Sequence, residues 1–130
     1  MTARTDERKK FLLDVMNTAA EGGIGYWSQL SAYHWSVDGK GDKEDLDGFY
    51  MLVHEMDADG GYAGEGHRID ADAIARGLAR FREYWKGASR DHHAHKLIAA
   101  DDTNGHKGDF DAGLADQVVQ FAIFGEVIYG

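Results

Sequence analysis

Cysteine is absent from the chain. That removes disulfides, thiolate nucleophiles and thiolate metal ligands from consideration. Proline is absent too, so helix boundaries fall to Gly, Asp, Asn and Thr. No apolar run approaches the roughly 20 residues that a membrane-spanning helix requires. The opening segment Met1–Lys10 is charged and lacks an apolar stretch, so no signal peptide is expected. These absences predict a protein of the cytoplasm with no membrane partner. Cations are in short supply: 14 Lys and Arg stand against 23 Asp and Glu, for a net charge of -9. Direct binding to nucleic acid is not expected, because affinity there rests on clustered cations.

Apolar material is present in quantity. Hydrophobic residues make up 43% of the chain and aromatic residues 12%, enough for a true core. The 130 residues fit a single domain spanning 1–130. Thr5 suits a helix N-cap, with Asp6 and Glu7 at the positive end of the helix dipole. Phe11, Leu12, Val15, Met16, Ala19 and Ala20 follow at helical spacing, and Ile24, Trp27 and Leu30 continue the stripe past Gly22-Gly23. This pattern predicts one long helix over 6–31, with the two glycines admitting another element closely. Tyr33, Trp35 and Val37 then alternate with polar residues, a strand pattern. The run Phe49–Met56 is rich in strand formers, and the two are expected to pair as an antiparallel hairpin.

Residues 57–66 read as a glycine-rich loop. A helix is expected over 71–86, with Asp70 as N-cap and Ile69 and Ile74 in the positions of a hydrophobic staple. A shorter helix is expected over 90–100, then a loop over 101–108. A last helix follows, capped by Asp109 or Asp111, and an apolar tail Val127-Ile128-Tyr129 that must be tied down. The fold class is therefore α+β: a mostly helical single domain of about four helices with one short antiparallel β-hairpin.

Chemistry-bearing clusters are few. Asp91-His92-His93-Ala94-His95 is the densest, with His106 nearby. His92 and His95, three apart on a helix, are expected to face one way, and His106 or Asp102 could supply a third ligand for zinc from the loop. No H-E-x-x-H motif accompanies them. Asp57-x-Asp59-Gly60-Gly61 does not match a calcium loop, since the fifth, sixth and twelfth positions are Gly61, Tyr62 and Arg68. Gly60–Gly66 lacks the spacing and the lysine of a phosphate cradle, and its acids repel phosphate. Glu21, Glu55, Asp57, His34 and His54 are acid–base candidates, with no nucleophile elbow or informative carboxylate spacing to organise them. The aromatic residues are more suggestive. Trp27 belongs in the core, whereas Tyr33, Trp35, Tyr50 and Tyr62 are candidates for a contact surface, because exposed Tyr and Trp are favoured binding anchors.

Three segments taken in order are Ala19–Ser28 (AAEGGIGYWS), Ile69–Leu78 (IDADAIARGL) and Asp116–Gly130 (DQVVQFAIFGEVIYG). Together they resemble a family of small uncharacterised proteins from phages of actinobacteria. The closing Phe124–Gly130 is the most specific piece of that resemblance. It implies a phage accessory gene acting inside a bacterial host cell, and it carries no activity or site residues to transfer. The expected function is a non-enzymatic phage accessory protein that binds and modulates a bacterial host protein, without a cofactor. Two alternatives stand beside it: an acidic nucleic-acid mimic of the anti-restriction type, and a small His-dependent metal-binding enzyme using zinc. Acids interleaved with bases, as in Asp42-Lys43-Glu44-Asp45, argue against the mimic. The open edges of the hairpin and the apolar C-terminus would also suit a homodimer.

Overall fold

The structure, a computed structural model, describes residues 3–130. Helix α1 spans Asp6–Gly22, and the Thr5 hydroxyl caps it by accepting from the Arg8 N–H at 3.1 Å. Three strands follow: β1 (Ser28–His34), β2 (Tyr50–Glu55) and β3 (His67–Asp70), antiparallel in the order β1-β2-β3. The remaining helices are α2 (Ala71–Trp85), α3 (Ala94–Thr103) and α4 (Ala112–Phe124). The expected α+β class with four helices is what the chain forms, and the sheet has one strand more than a hairpin. No helix among the described residues is long and apolar enough to cross a membrane.

The single helix expected over 6–31 is corrected. The helix stops at Gly22, and Ile24 and Trp27 are buried from a turn before β1 opens at Ser28. The glycine pair explains the break. A Cβ on Gly23 would lie 2.6 Å from the Ala112 carbonyl oxygen, so only glycine lets the end of α1 approach the start of α4. The first strand correspondingly covers 28–34 rather than beginning at Tyr33. Beyond it, Ser36 meets Glu44 only through an isolated bridge.

One face of the sheet packs on the helices. Met51, Val53 and Ile69 are buried there in one core with Leu12, Met16, Ile74, Leu78, Phe81 and Val118. Register places Leu30 opposite Val53, then skips Ser31 and places Ala32 opposite Leu52. This bulge breaks the two-residue alternation of β1. As a result Tyr33, opposite Met51, leans to the helical side, where its hydroxyl donates to Asn17 of α1 at 2.7 Å.

Helices α2 and α4 meet closely, because a Cβ on Gly77 would sit 2.2 Å from the Val118 carbonyl oxygen. Asp70 caps α2 through the Ala73 N–H, and Asp111, not Asp109, caps α4 through the Leu114 N–H. Arg76 and Arg80 of α2 donate to the Ala122 and Phe121 carbonyls at the C-terminal end of α4, where cations complement the helix dipole. The helix expected over 90–100 is shifted: residues 90–93 form turns and a bend, and α3 runs on through Asp101 and Asp102. Asp101 is held there between Arg8 at 2.6 Å and Arg82 at 3.1 Å.

The apolar tail is tied down, as expected. The buried Gln120 accepts from the Ile128 and Tyr129 N–H groups at 2.9 Å each. Its own amide donates to Asp116 at 2.9 Å. The buried Asp116 carboxylate also accepts from Trp27 Nε1 and the Tyr26 hydroxyl, so one acid organises α4, the turn before β1 and the tail.

Candidate functional site

The face of the sheet turned away from the helices carries Gln29, Ser31, Ala32 and His34 from β1, Tyr50, Leu52 and His54 from β2, and Arg68 and Asp70 from β3. These positions follow from the register and from the burial of the alternate residues. Two clusters form on this face. In the first, the Arg68 guanidinium lies over the Tyr50 ring at 4.2 Å, and the His34 ring stands 5.6 Å from the same tyrosine. His34 Nε2 donates to Asp45 at 2.8 Å. That hydrogen bond is the main reason the Asp45 carboxyl sits below the usual carboxylate range, and the Gly48 N–H adds to it.

The second cluster surrounds His54. Its Nδ1 donates to the Gly64 carbonyl oxygen at 3.1 Å, and its Nε2 lies 2.7 Å from the Ser31 hydroxyl. The Tyr62 ring stacks on the imidazole, with centroids 4.1 Å apart and planes 14° from parallel. Tyr62 is 50% exposed on its outer side. Ser31 can reach His54 because it stands two residues from Gln29, the register partner of His54, and so shares its face by ordinary alternation; the bulge adds Ala32 to that face. Nothing in the sequence marks this pair. The two residues are 23 apart, and alternation within each strand does not say which positions of β1 and β2 stand side by side.

The four aromatic candidates divide between the two sides. Tyr50 and Tyr62 belong to the outer face, while Tyr33 reaches α1 and Trp35 is partly buried against the core.

The chain matches no protein-family model, no curated protein and no solved structure. The side chains themselves therefore carry the functional reading. Among the described residues, no three His, Cys, Asp or Glu side chains gather so as to hold a metal ion. His92 precedes α3 rather than lying on it, which corrects the helical pairing expected of His92 and His95. Its ring stacks on Trp85 at 4.4 Å, and its Nδ1 accepts from the Ala94 N–H. His95 Nε2 donates to the Ala88 carbonyl oxygen, and His106 pairs with Glu7 of α1. The three imidazoles thus serve three different local contacts.

Two grooves of about 500 Å³ or more lie elsewhere among the described residues. One, of about 550 Å³ between α2 and α3, is lined by Arg82, Glu83, Lys86 and His95. Its cations have acidic partners, Arg82 with Asp101 and Asp102 and Lys86 with Glu83. The other, of about 510 Å³, is lined by Tyr84, Trp85, Gln117, Glu126 and Val127. Acids also pair with bases elsewhere on the surface, as in Arg4–Asp72 and the Lys10 contacts with Asp14 and Glu44.

Proposed function

We propose that the chain works by binding a bacterial host protein, as a phage accessory protein, through the outer face of its sheet. The observation that supports this is the one-sided packing. Helices cover Met51, Val53 and Ile69, while Tyr50, clamped under Arg68, and the half-exposed Tyr62 stand on the opposite face. Tyr and Arg are the residue types that most often dominate the energetics of protein contacts. Here they are held in fixed orientations before any partner arrives, which lowers the ordering cost of association. The phage context and the cytoplasm of a bacterial host rest on the resemblance of the three quoted segments.

The test is affinity capture from an actinobacterial lysate with matched variants. Tyr50→Ala combined with Arg68→Ala is expected to lose the captured protein at an unchanged melting temperature. Tyr84→Ala, which alters the groove beside the tail, is expected to keep it. Capture that survives the first variant, or no protein captured in preference to a control domain, defeats this reading.

A further inference from the structure

We propose that Ser31 is an activated nucleophile that accepts acyl groups from neutral esters, with His54 as its general base. This goes beyond the binding reading and does not depend on it. The Gly64 carbonyl oxygen can only accept a hydrogen bond, so the proton of a neutral His54 resides on Nδ1. Nε2 then offers a bare lone pair, and the Ser31 hydroxyl at 2.7 Å donates to it. Nucleophile, base and orienting group stand in the order that acyl-transfer sites use, with a backbone carbonyl in the orienting place.

Two further features hold the arrangement. The Tyr62 ring fixes the plane of the imidazole by stacking at 4.1 Å. Gly66 flanks the reacting edge: a Cβ there would lie 2.9 Å from His54 Nε2 and 3.0 Å from its Cε1. Gly64, Tyr62 and Gly66 all belong to one segment, so the loop that lacks a phosphate-binding pattern folds around the imidazole instead. Its acids Asp57, Asp59 and Glu65 disfavour an anionic substrate, which selects an uncharged ester.

The chemistry closes without a cofactor. Ser31 Oγ bonds to the ester carbonyl carbon as its proton passes to His54 Nε2. The carbon–oxygen bond to the leaving alcohol then breaks, and that oxygen takes the proton from Nε2. A water molecule next attacks the acyl-enzyme, again giving a proton to Nε2. The carboxylic acid departs, and the proton returns to Ser31 Oγ.

The experiment treats the full chain with a fluorophosphonate probe, which transfers its phosphonyl group to an activated serine and releases fluoride. Intact mass and peptide mapping read the product. The expected result is one adduct per chain, at Ser31, and none on Ser31→Ala. His54→Ala and His54→Gln are expected to slow labelling by at least about 100-fold, the contribution of a positioned base. The glutamine variant keeps a donor for Gly64 while removing the base, and melting temperatures confirm that each variant is folded. Tyr50→Ala with Arg68→Ala is expected to label at the wild-type rate, so this proposal and the binding reading fail separately. No adduct at Ser31, or labelling of folded His54→Gln at the wild-type rate, overturns the proposal.

Discussion

Trp27 and Tyr129 stack face to face, with ring centroids 5.0 Å apart and planes 7° from parallel. The pair joins the turn before β1 to the C-terminal tail. It is held from both sides: Asp116 anchors the indole N–H, and Glu55 of β2 accepts from the Tyr129 hydroxyl. Phe124 closes the cluster at 5.7 Å from Trp27 and 6.0 Å from Tyr129.

Tyr129→Ala is therefore expected to destabilise the fold by about 2 kcal/mol. It removes an aromatic pair and a half-buried ring, each of which contributes on this order. Val127→Ala, two residues earlier and 40% exposed, is expected to stay within about 0.5 kcal/mol of wild type. Urea unfolding followed by tryptophan fluorescence measures both. Equal effects at the two sites would show that the tail is not docked through Tyr129.

Gly77→Ala is expected to destabilise by about 1–3 kcal/mol, the usual range for overpacking a core. Helix propensity alone would favour alanine by about 1 kcal/mol. The sign is reversed because the new methyl would meet the Val118 backbone at 2.2 Å, and a backbone carbonyl inside α4 has no rotamer to retreat into. Gly87→Ala, with nothing within 4 Å of its added Cβ, serves as the neutral comparison. Thermal melts of the two variants decide the matter.

Stability is expected to fall as pH rises from about 10 to about 12. Burial, and then the hydrogen bond to Asp116, push the Tyr26 hydroxyl up to about 12. Although the residue is 55% exposed, its hydroxyl end turns inward onto that carboxylate. Burial and the charge of Glu21 push Tyr33 to about 12 as well. An unfolded tyrosine ionises near 10. Between these values the folded chain holds protons that the unfolded chain has released, so the stabilisation is complete below about pH 10 and is lost as pH rises through about 12. Urea midpoints across this window are expected to drop less steeply for Tyr26→Phe. An unchanged slope in that variant would remove Tyr26 as a cause.

Much of the helical framework could be read from the residues. Thr5, Asp70 and Asp111 cap their helices, and the Ile74, Leu78 and Phe81 stripe is the buried face of α2. Residues 24–30 misled because Ile24, Trp27 and Leu30 happen to repeat at helical spacing while being buried from a turn and a strand. What stops the helix is a contact between Gly23 and Ala112, far apart in sequence. The third strand was hidden for a different reason. Of His67-Arg68-Ile69-Asp70 only Ile69 is apolar, and it also satisfies the staple expected before α2. The Ser31–His54 contact depends on the register of β1 against β2, which no local pattern announces. The contact-surface candidates separated because of the bulge, whose extra residue sends Tyr33 toward α1 while Tyr50 stays outside.

That extra residue makes β1 unequally sensitive to a change in length. Deleting Ser31 or Ala32 would leave one residue facing Leu52, with Leu30 still opposite Val53 and Tyr33 still opposite Met51, so the ladder would straighten without exchanging inside and outside. Deleting Leu30 would use up the same spare residue but set Ser31 opposite Val53, a hydroxyl where an apolar side chain had been. The strand thus carries its own slack, and what an edit costs depends on which residue is left to fill the inward position.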